Sequence, residues 1–177
     1  LIDDLIPGTI SLGYLEKVLC LLLREGVPIR DMETILETLG DHAGALKDID
    51  IVTEYVRQAL KRTITRRFAE ANSLRVITVD PKVEDTIVAS VKKSEAGSYL
   101  AMDPDLIQKI VNITSGEIDK VKDVIPNIII LTSPIVRIYF KKLIDQFIPN
   151  ITVLSYSEID NTAQIQAIGI YEKYKNN

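Results

Sequence analysis

The spacing of apolar residues in the first part of the chain is that of amphipathic helices. The first stripe recurs every three or four positions and consists of Leu12, Leu15, Val18, Leu19 and Leu22. Ser11 precedes it, and a serine hydroxyl can accept hydrogen bonds from the free amides of a first helical turn. Gly26 follows it as a residue able to adopt positive φ, and Pro28 prevents the helix from resuming. We therefore predict one helix between Ser11 and a tight corner at 26–28.

Two more helices are predicted after the corner. Asp31 is a suitable N-cap for the second helix, which we expect to end at Gly40. The third is predicted to begin at Asp48 or Asp50 and to reach about Glu70. The expected buried faces are Met32, Ile35, Leu36 and Leu39 in the second helix, and Ile51, Val52, Tyr55, Val56, Ala59 and Leu60 in the third. Three helices with such short connections predict a compact bundle.

Beyond a boundary near 71–73, the pattern changes to a repeated unit of apolar strand, capping residue, proline and helix. The unit occurs at Asp80-Pro81, Asp103-Pro104 and Ser133-Pro134, where Asp or Ser would cap the helix and Pro would occupy its first turn. The expected strands are 76–79, 99–102, 128–131, 152–156 and 165–171. Alternating strands and helices predict a mostly parallel or mixed sheet. The fold class is therefore α+β overall, with a helical bundle at 1–72 followed by an α/β sandwich at 73–177.

Composition and charge restrict the function classes. The 177 residues are 46% hydrophobic and 26% charged, an ordinary globular balance, and the net charge of −4 argues against a dedicated nucleic-acid binder. No apolar run approaches the roughly 18 residues that a membrane helix needs. Cys20 is the single cysteine and stands in an apolar run, which predicts a buried and inert thiol.

No residue pattern typical of a catalytic, cofactor-binding or metal site is found. His42 is the single histidine, and we interpret it as a solvated loop residue. Glycine-rich phosphate-binding motifs are absent, and carboxylate caps at Asp80 and Asp103 would repel an anion from those helix N-termini. A basic strip is compatible with a nucleic-acid surface, but its scarce aromatic neighbours favour a solvated or protein-contact surface. This strip consists of Arg57, Lys61, Arg62, Arg66 and Arg67.

Several motifs in the same order along the chain resemble one family. Three lie in the helical part: LIPG at 5–8, LLREGVPIRD at 22–31 and ILE at 35–37. Two lie in the α/β part: LTSP at 131–134 and VLSYSEI at 153–159. These motifs resemble the FlhA/InvA (FHIPEP) export-gate proteins of flagellar and virulence type III secretion, with the flagellar branch preferred. The tail at 171–175, YEKYK, departs from the apolar ending expected for that family.

The resemblance implies a non-enzymatic scaffold, namely the last two of four cytoplasmic subdomains of a longer protein. A first residue other than Met fits such a fragment, and a membrane domain upstream would place it at the cytoplasmic face of the bacterial inner membrane. The implied partners are further copies of the chain in a ring, other export-apparatus proteins, chaperones and export substrates, with no nucleic acid and no cofactor. This fragment by itself is expected to be soluble and only weakly associating.

Arg24, Glu25, Arg30 and Asp31 flank the predicted corner and are the candidate contact residues for a neighbouring subunit or partner. Local helix-end electrostatics would equally explain their charges, and both interpretations stay open. Two other function classes are also retained. One is an enzyme or small-molecule binder with its site at the carboxyl ends of the strands. The other is a nucleic-acid module that uses the basic strip.

Overall fold

A computed structural model describes residues 2–171 of the protein, and they form two compact units. The first unit ends at Ala69 and also contains the segment Ser157–Asn161. The second runs from Glu70 to Tyr156 and continues from Thr162. The expected fold class, helices followed by an α/β part with a mostly parallel sheet, is confirmed. Within residues 2–171, no helix combines the length and the apolar character needed to span a membrane.

The helices of the first unit pack around α4. Its described helices are α1 (Ile2–Leu5), α2 (Leu12–Arg24), α3 (Met32–His42), α4 (Ile49–Ala59) and α5 (Lys61–Phe68). Helix α4 contacts α2, α3 and α5. The side chains at the centre are at most 1% exposed and comprise Val18, Leu22, Ile35, Leu39, Val52, Val56, Leu60 and Ile64. Burial of each contributes about 1.5–3 kcal/mol, so this apolar core is the main stabilising contact of the unit.

Two predicted helix boundaries are wrong. Helix α3 continues past Gly40 to His42. The third predicted helix is divided into α4 and α5 at Leu60, whose amide donates to the carbonyls of both Val56 and Arg57. This shared hydrogen bond interrupts the regular α-helical ladder. The buried face of α4 is also rotated relative to the prediction, because Tyr55 and Ala59 are exposed whereas Thr53, Glu54 and Arg57 are buried.

The predicted corner after α2 is confirmed in its backbone geometry. Gly26 has a φ of +73°. The Val27 amide donates to the Leu22 carbonyl at 3.0 Å, and the Gly26 amide donates to the Leu23 carbonyl at 3.0 Å. This pair of bonds is the Schellman closure of a helix C-terminus. Because Val27 is fully buried, the corner is anchored in the core, and the candidate contact residues lie on either side of it.

A four-stranded parallel sheet forms the centre of the second unit. The described elements are β1 (Ser73–Val79), α6 (Pro81–Ala89), β2 (Val91–Ser94), β3 (Gly97–Leu100), α7 (Pro104–Val121), β4 (Ile129–Thr132), α8 (Pro134–Asp145), β5 (Thr152–Ser155) and β6 (Gln164–Tyr171). The sheet has the order β5-β4-β1-β6, and all its pairs are parallel. Strand β4 is buried along its whole length, as expected for an inner strand covered on both faces.

The three predicted strand–cap–proline–helix junctions differ in detail. Asp80 and Asp103 accept hydrogen bonds from the amides of Lys82 and Asp105, at 2.7 Å and 2.8 Å, so their predicted caps are confirmed. Ser133 begins α8 without a side-chain cap. The strand predicted at 99–102 is instead β3, which pairs with β2 in a separate antiparallel hairpin. The predicted polar tail from Lys173 lies outside the described residues.

The positive φ of Gly26 generates a test of the corner. We expect Gly26→Ala to lower the free energy of unfolding by about 1–2 kcal/mol, because an L-residue is strained in this conformation. Steric crowding adds little, since the nearest atom to an added Cβ is Phe68 Cζ at 3.8 Å. Gly44→Ala in the same unit is the matched control, as its Cβ would meet no heavy atom within 4 Å. Equal stability of the two variants in chemical denaturation would contradict the strain.

Candidate contact site and buried charges

Three of the four candidate contact residues are available at the surface. Arg24, Arg30 and Asp31 are exposed around the Gly26 corner. Glu25 differs, because its side chain is only 17% exposed and its Oε2 lies 3.8 Å from Nη1 of Arg57. The contact role of all four residues stays a prediction, and Glu25 is the one that also lies near a buried charge.

Asp31 also has a local structural role at the start of α3. Its carboxylate accepts from the hydroxyl of Thr34 at 2.7 Å and from the Thr34 amide at 3.2 Å. The hydroxyl bond first, and the amide bond second, hold the pKa of Asp31 below its ordinary value of 3.8. The predicted N-cap is therefore confirmed. Because the residue is exposed, capping does not prevent a contact with a partner.

A buried ion pair lies behind the corner. Arg57 on α4 donates from Nε to Glu158 Oε2 at 2.7 Å and from Nη2 to Glu158 Oε1 at 3.0 Å. The two side chains are 2% and 1% exposed. Glu158 belongs to the Ser157–Asn161 segment, which Thr65 also holds by accepting from the Asp160 amide at 2.8 Å. The pair is bidentate, the strongest geometry for an arginine and a carboxylate.

The assignment of Arg57 to an exposed basic strip is therefore wrong. Arg57 is 1% exposed, whereas Lys61, Arg62, Arg66 and Arg67 are exposed. The sequence contains a signal for the burial of Arg57. This residue directly follows buried Val56 and lies three positions before buried Leu60. An arginine on such a stripe needs an acidic partner. Helical spacing alone does not identify Glu158 as that partner.

The structure also corrects two single-residue interpretations. Cys20 is exposed rather than buried, because α2 directs Val18 and Leu22, not Cys20, into the core. His42 is the last residue of α3 rather than a loop residue. Its ring stacks on Tyr55 with a centroid distance of 4.4 Å and an interplanar angle of 10°. Neither residue has the surroundings of an activated nucleophile or base.

A cleft that the sequence did not indicate lies along α2 and the first turn of α4. Its volume is about 480 Å³. The lining is Gly13, Glu16, Lys17, Cys20, Leu21, Arg24, Ile49 and Asp50. Close by, burial first and the charge of Asp48 second raise the pKa of Tyr14. Both charge signs and apolar side chains line the cleft.

At the carboxyl end of β4, a backbone amide is already bonded to an internal carboxylate. Glu84 on α6 accepts from the Ser133 amide at 2.6 Å with its Oε2. That amide stands at the start of α8, where an external anion would bind in many α/β proteins. The negative charge of Glu84 therefore takes the place of a ligand there. Among residues 2–171, no group of three or more His, Cys, Asp and Glu is arranged to hold a metal ion.

Known proteins similar to this chain share both its sequence and its fold. The model of the FHIPEP family matches residues 1–164. The flagellar biosynthesis protein FlhA of Bacillus subtilis is 39% identical over 173 residues, which are 97% of this chain and 26% of FlhA. The chain thus spans about a quarter of that relative.

Solved structures agree with this likeness. The CdsV protein of Chlamydia pneumoniae superposes with a TM-score of 0.82 at 35% identity, over 97% of this chain and 48% of CdsV. The nonameric cytosolic domain of EscV, from a type III secretion system, superposes with a TM-score of 0.75 at 31% identity. That likeness covers 91% of this chain and 48% of EscV.

The buried ion pair generates a stability test. Arg57→Met or Glu158→Leu should each lower the free energy of unfolding by about 3–5 kcal/mol, because each breaks a buried bidentate pair by removing one of its two charges. The double variant removes both charges and should lose no more than one single variant does. Asp119→Asn is the control, since Asp119 pairs with Lys122 at 3.3 Å on the surface and should change stability by less than about 1 kcal/mol. Additive losses in the double variant would contradict the pairing.

The Asp31 cap generates a pH test. Asp31→Ala should cost about 1 kcal/mol at neutral pH. The pKa of Asp31 in the folded state lies below 3.8. The charge-dependent part of the stability lost in Asp31→Ala is therefore present above pH 3.8 and vanishes as the pH falls through the folded-state pKa. Asp31→Ser, a neutral cap, is the control and should show little pH-dependent change relative to Asp31→Ala. Chemical denaturation across this range measures both, and a wild-type advantage that persists at the lowest pH would contradict the charge contribution.

Proposed function

Because the chain belongs to the FHIPEP family, we propose that it is the C-terminal part of the cytoplasmic domain of an export-gate protein, acting as a non-enzymatic scaffold. The observation that carries the proposal is the combined match of sequence and fold. The family model covers residues 1–164, and the likeness to CdsV covers 97% of the chain. In this proposal the helical unit is the third cytoplasmic subdomain of the longer protein, and the α/β unit is the fourth.

Three features of the described residues support a scaffold rather than an enzyme. Cys20 is exposed, and His42 is stacked on Tyr55 rather than paired with a nucleophile. Glu84 occupies the amide of Ser133 at the end of the sheet where an α/β enzyme would bind an anion. The nucleic-acid alternative is weakened as well, because burial of Arg57 removes one cation from the basic strip.

The proposed role is assembly and docking at the cytoplasmic face of the bacterial inner membrane, to which upstream parts of the longer protein attach. Copies of the chain would form a ring that receives export substrates and their chaperones together with other export-apparatus proteins. The nonameric state of EscV supports the ring. Arg24, Arg30 and Asp31 are the proposed contacts at the corner, since their side chains are exposed to a neighbour.

A flagellar gate is favoured over its virulence homologue. The 39% identity to Bacillus subtilis FlhA over 97% of the chain supports the flagellar branch. The 35% identity to CdsV, at nearly the same coverage, keeps the virulence branch as the alternative.

A chimera tests the function directly. The segment of Bacillus subtilis FlhA that matches this chain would be replaced by it in cells lacking their own FlhA. We expect flagellar assembly and swimming to be restored well above the level of cells without FlhA, because 39% identity over 97% of the chain indicates the same fold. A chimera that accumulates normally yet leaves flagellar protein export at background would contradict the flagellar assignment.

The same chimera tests the corner contacts. Arg24→Glu with Arg30→Glu should lower export several-fold without lowering protein abundance, because it reverses two exposed charges at the proposed contact. The matched control is Lys92→Glu with Lys93→Glu, the same chemical change at exposed positions of the β2–β3 hairpin. Equal export by the two chimeras would show that the corner is not a contact.

A further inference from the structure

Charge is segregated within the helical unit. Between Asp31 and Glu54 the chain has seven acidic residues and one basic residue, Lys47, and between Arg57 and Arg67 it has five basic residues and no acidic one. The helical unit places most of these charges on separate helices. Some of these charges have internal roles, since Asp31 and Asp48 cap helices and Arg57 is buried, whereas others lie exposed on α3 and α5.

The acidic block forms one exposed face of α3. Glu33, Glu37 and Asp41 follow each other at intervals of four residues and are all exposed, while Ile35 and Leu39 point into the core. Like charges at this spacing destabilise an isolated helix. Among residues 2–171, none of the three takes part in an ion pair. Within residues 2–171, this stripe is therefore maintained without a compensating positive charge.

The basic block forms a matching face of α5. Arg62 and Arg66 are four residues apart and exposed, next to exposed Arg67, while Ile64 and Thr65 are buried on the other side. Arg67 lies over the ring of Phe68 at 5.2 Å. In the described part of the chain, these arginines also have no acidic partner within 4.0 Å.

We propose that the basic face of α5 in one copy of the chain contacts the acidic face of α3 in the next copy. The proposal rests on the assembly role above and names the two surfaces that carry it. Further copies of the chain suit both faces, because the α5 face of one copy offers the charge that the α3 face of the next copy lacks. A phosphate backbone would pair with α5 and leave the α3 stripe unpaired. Two different faces in contact give a head-to-tail interface, which closes into a ring when the rotation per copy allows it.

Cysteine crosslinking tests the contact in the whole chain with Cys20→Ser. Glu37→Cys protein and Arg66→Cys protein are mixed at high concentration and low salt with a short bismaleimide. We expect heterodimers to form about tenfold faster than either homodimer, since like faces repel, and the excess to fall at high salt. A chain carrying both cysteines should give a ladder of trimers and larger species. Statistical pairing, or a product that stops at dimers, would overturn the proposal.

Charge reversal supplies the rescue experiment. Arg62→Glu with Arg67→Glu should reduce crosslinking about tenfold in the chain with both cysteines, and so should Glu33→Lys with Asp41→Lys. All four reversals together should restore it, because the two faces exchange their signs. The matched control replaces Glu37→Cys by Leu12→Cys, an exposed position on α2 that should yield only statistical products. The contact would be refuted if the Glu37→Cys chain crosslinked no faster than the Leu12→Cys control. It would also be refuted if the chain bound an RNA oligonucleotide and the α5 reversal abolished that binding.

The two proposals fail in distinguishable ways. If the chimera with FlhA exports flagellar proteins but Glu37 and Arg66 do not crosslink selectively, the function stands and this contact is wrong. If selective crosslinking occurs but the chimera is inactive, the chain assembles by this contact in another role.

Discussion

The path of the returning segment 157–161 in the helical unit depends on one buried ion pair that joins residues 101 positions apart. Arg57 projects from the central helix α4, and Glu158 comes from the short segment that returns to this unit late in the chain. Removing two charges from water is expensive, and only the bidentate geometry with two short hydrogen bonds offsets that penalty. Any other register of the returning segment would leave the guanidinium buried without its carboxylate. The pair therefore selects one path for this segment.

Neighbouring groups reinforce this choice. Glu25 stands 3.8 Å from the third nitrogen of the guanidinium, just before the Gly26 corner. Thr65 on α5 accepts a hydrogen bond from Asp160 two residues beyond Glu158. Elements that are distant along the chain thus meet around a single side chain. The corner and the returning segment share this support, which links the conformation of a surface loop to the interior of the unit.

The two units use buried and exposed carboxylates in different ways. In the α/β unit, the Glu84 carboxylate accepts from the amide at the start of α8 and so takes the position of a bound anion at the carboxyl end of β4. In the helical unit, Glu33 and Glu37 remain at the surface with no internal partner among the described residues. The α3 carboxylates are thus open to a neighbour, whereas the Ser133 amide is already bonded within the unit.

The sequence by itself determined what depends on near neighbours. Ser11, Asp31, Asp80 and Asp103 cap helices as predicted, and Gly26 adopts positive φ, because each acts on amides or torsions within a few residues. Apolar spacing likewise indicated most helices and the parallel strands. The family motifs indicated the function class, since they extend over both units.

Only the tertiary structure decided which charged and polar residues become internal. It buried Arg57 against Glu158, exposed Cys20, stacked His42 on Tyr55 and gave the Ser133 amide to Glu84. It also returned 157–161 to the helical unit and put β3 into a separate hairpin. Each outcome depends on how helix faces are rotated or on a partner that is not adjacent along the chain. Periodicity records which side of a helix is apolar, whereas the partner of a buried charge is set by packing in three dimensions.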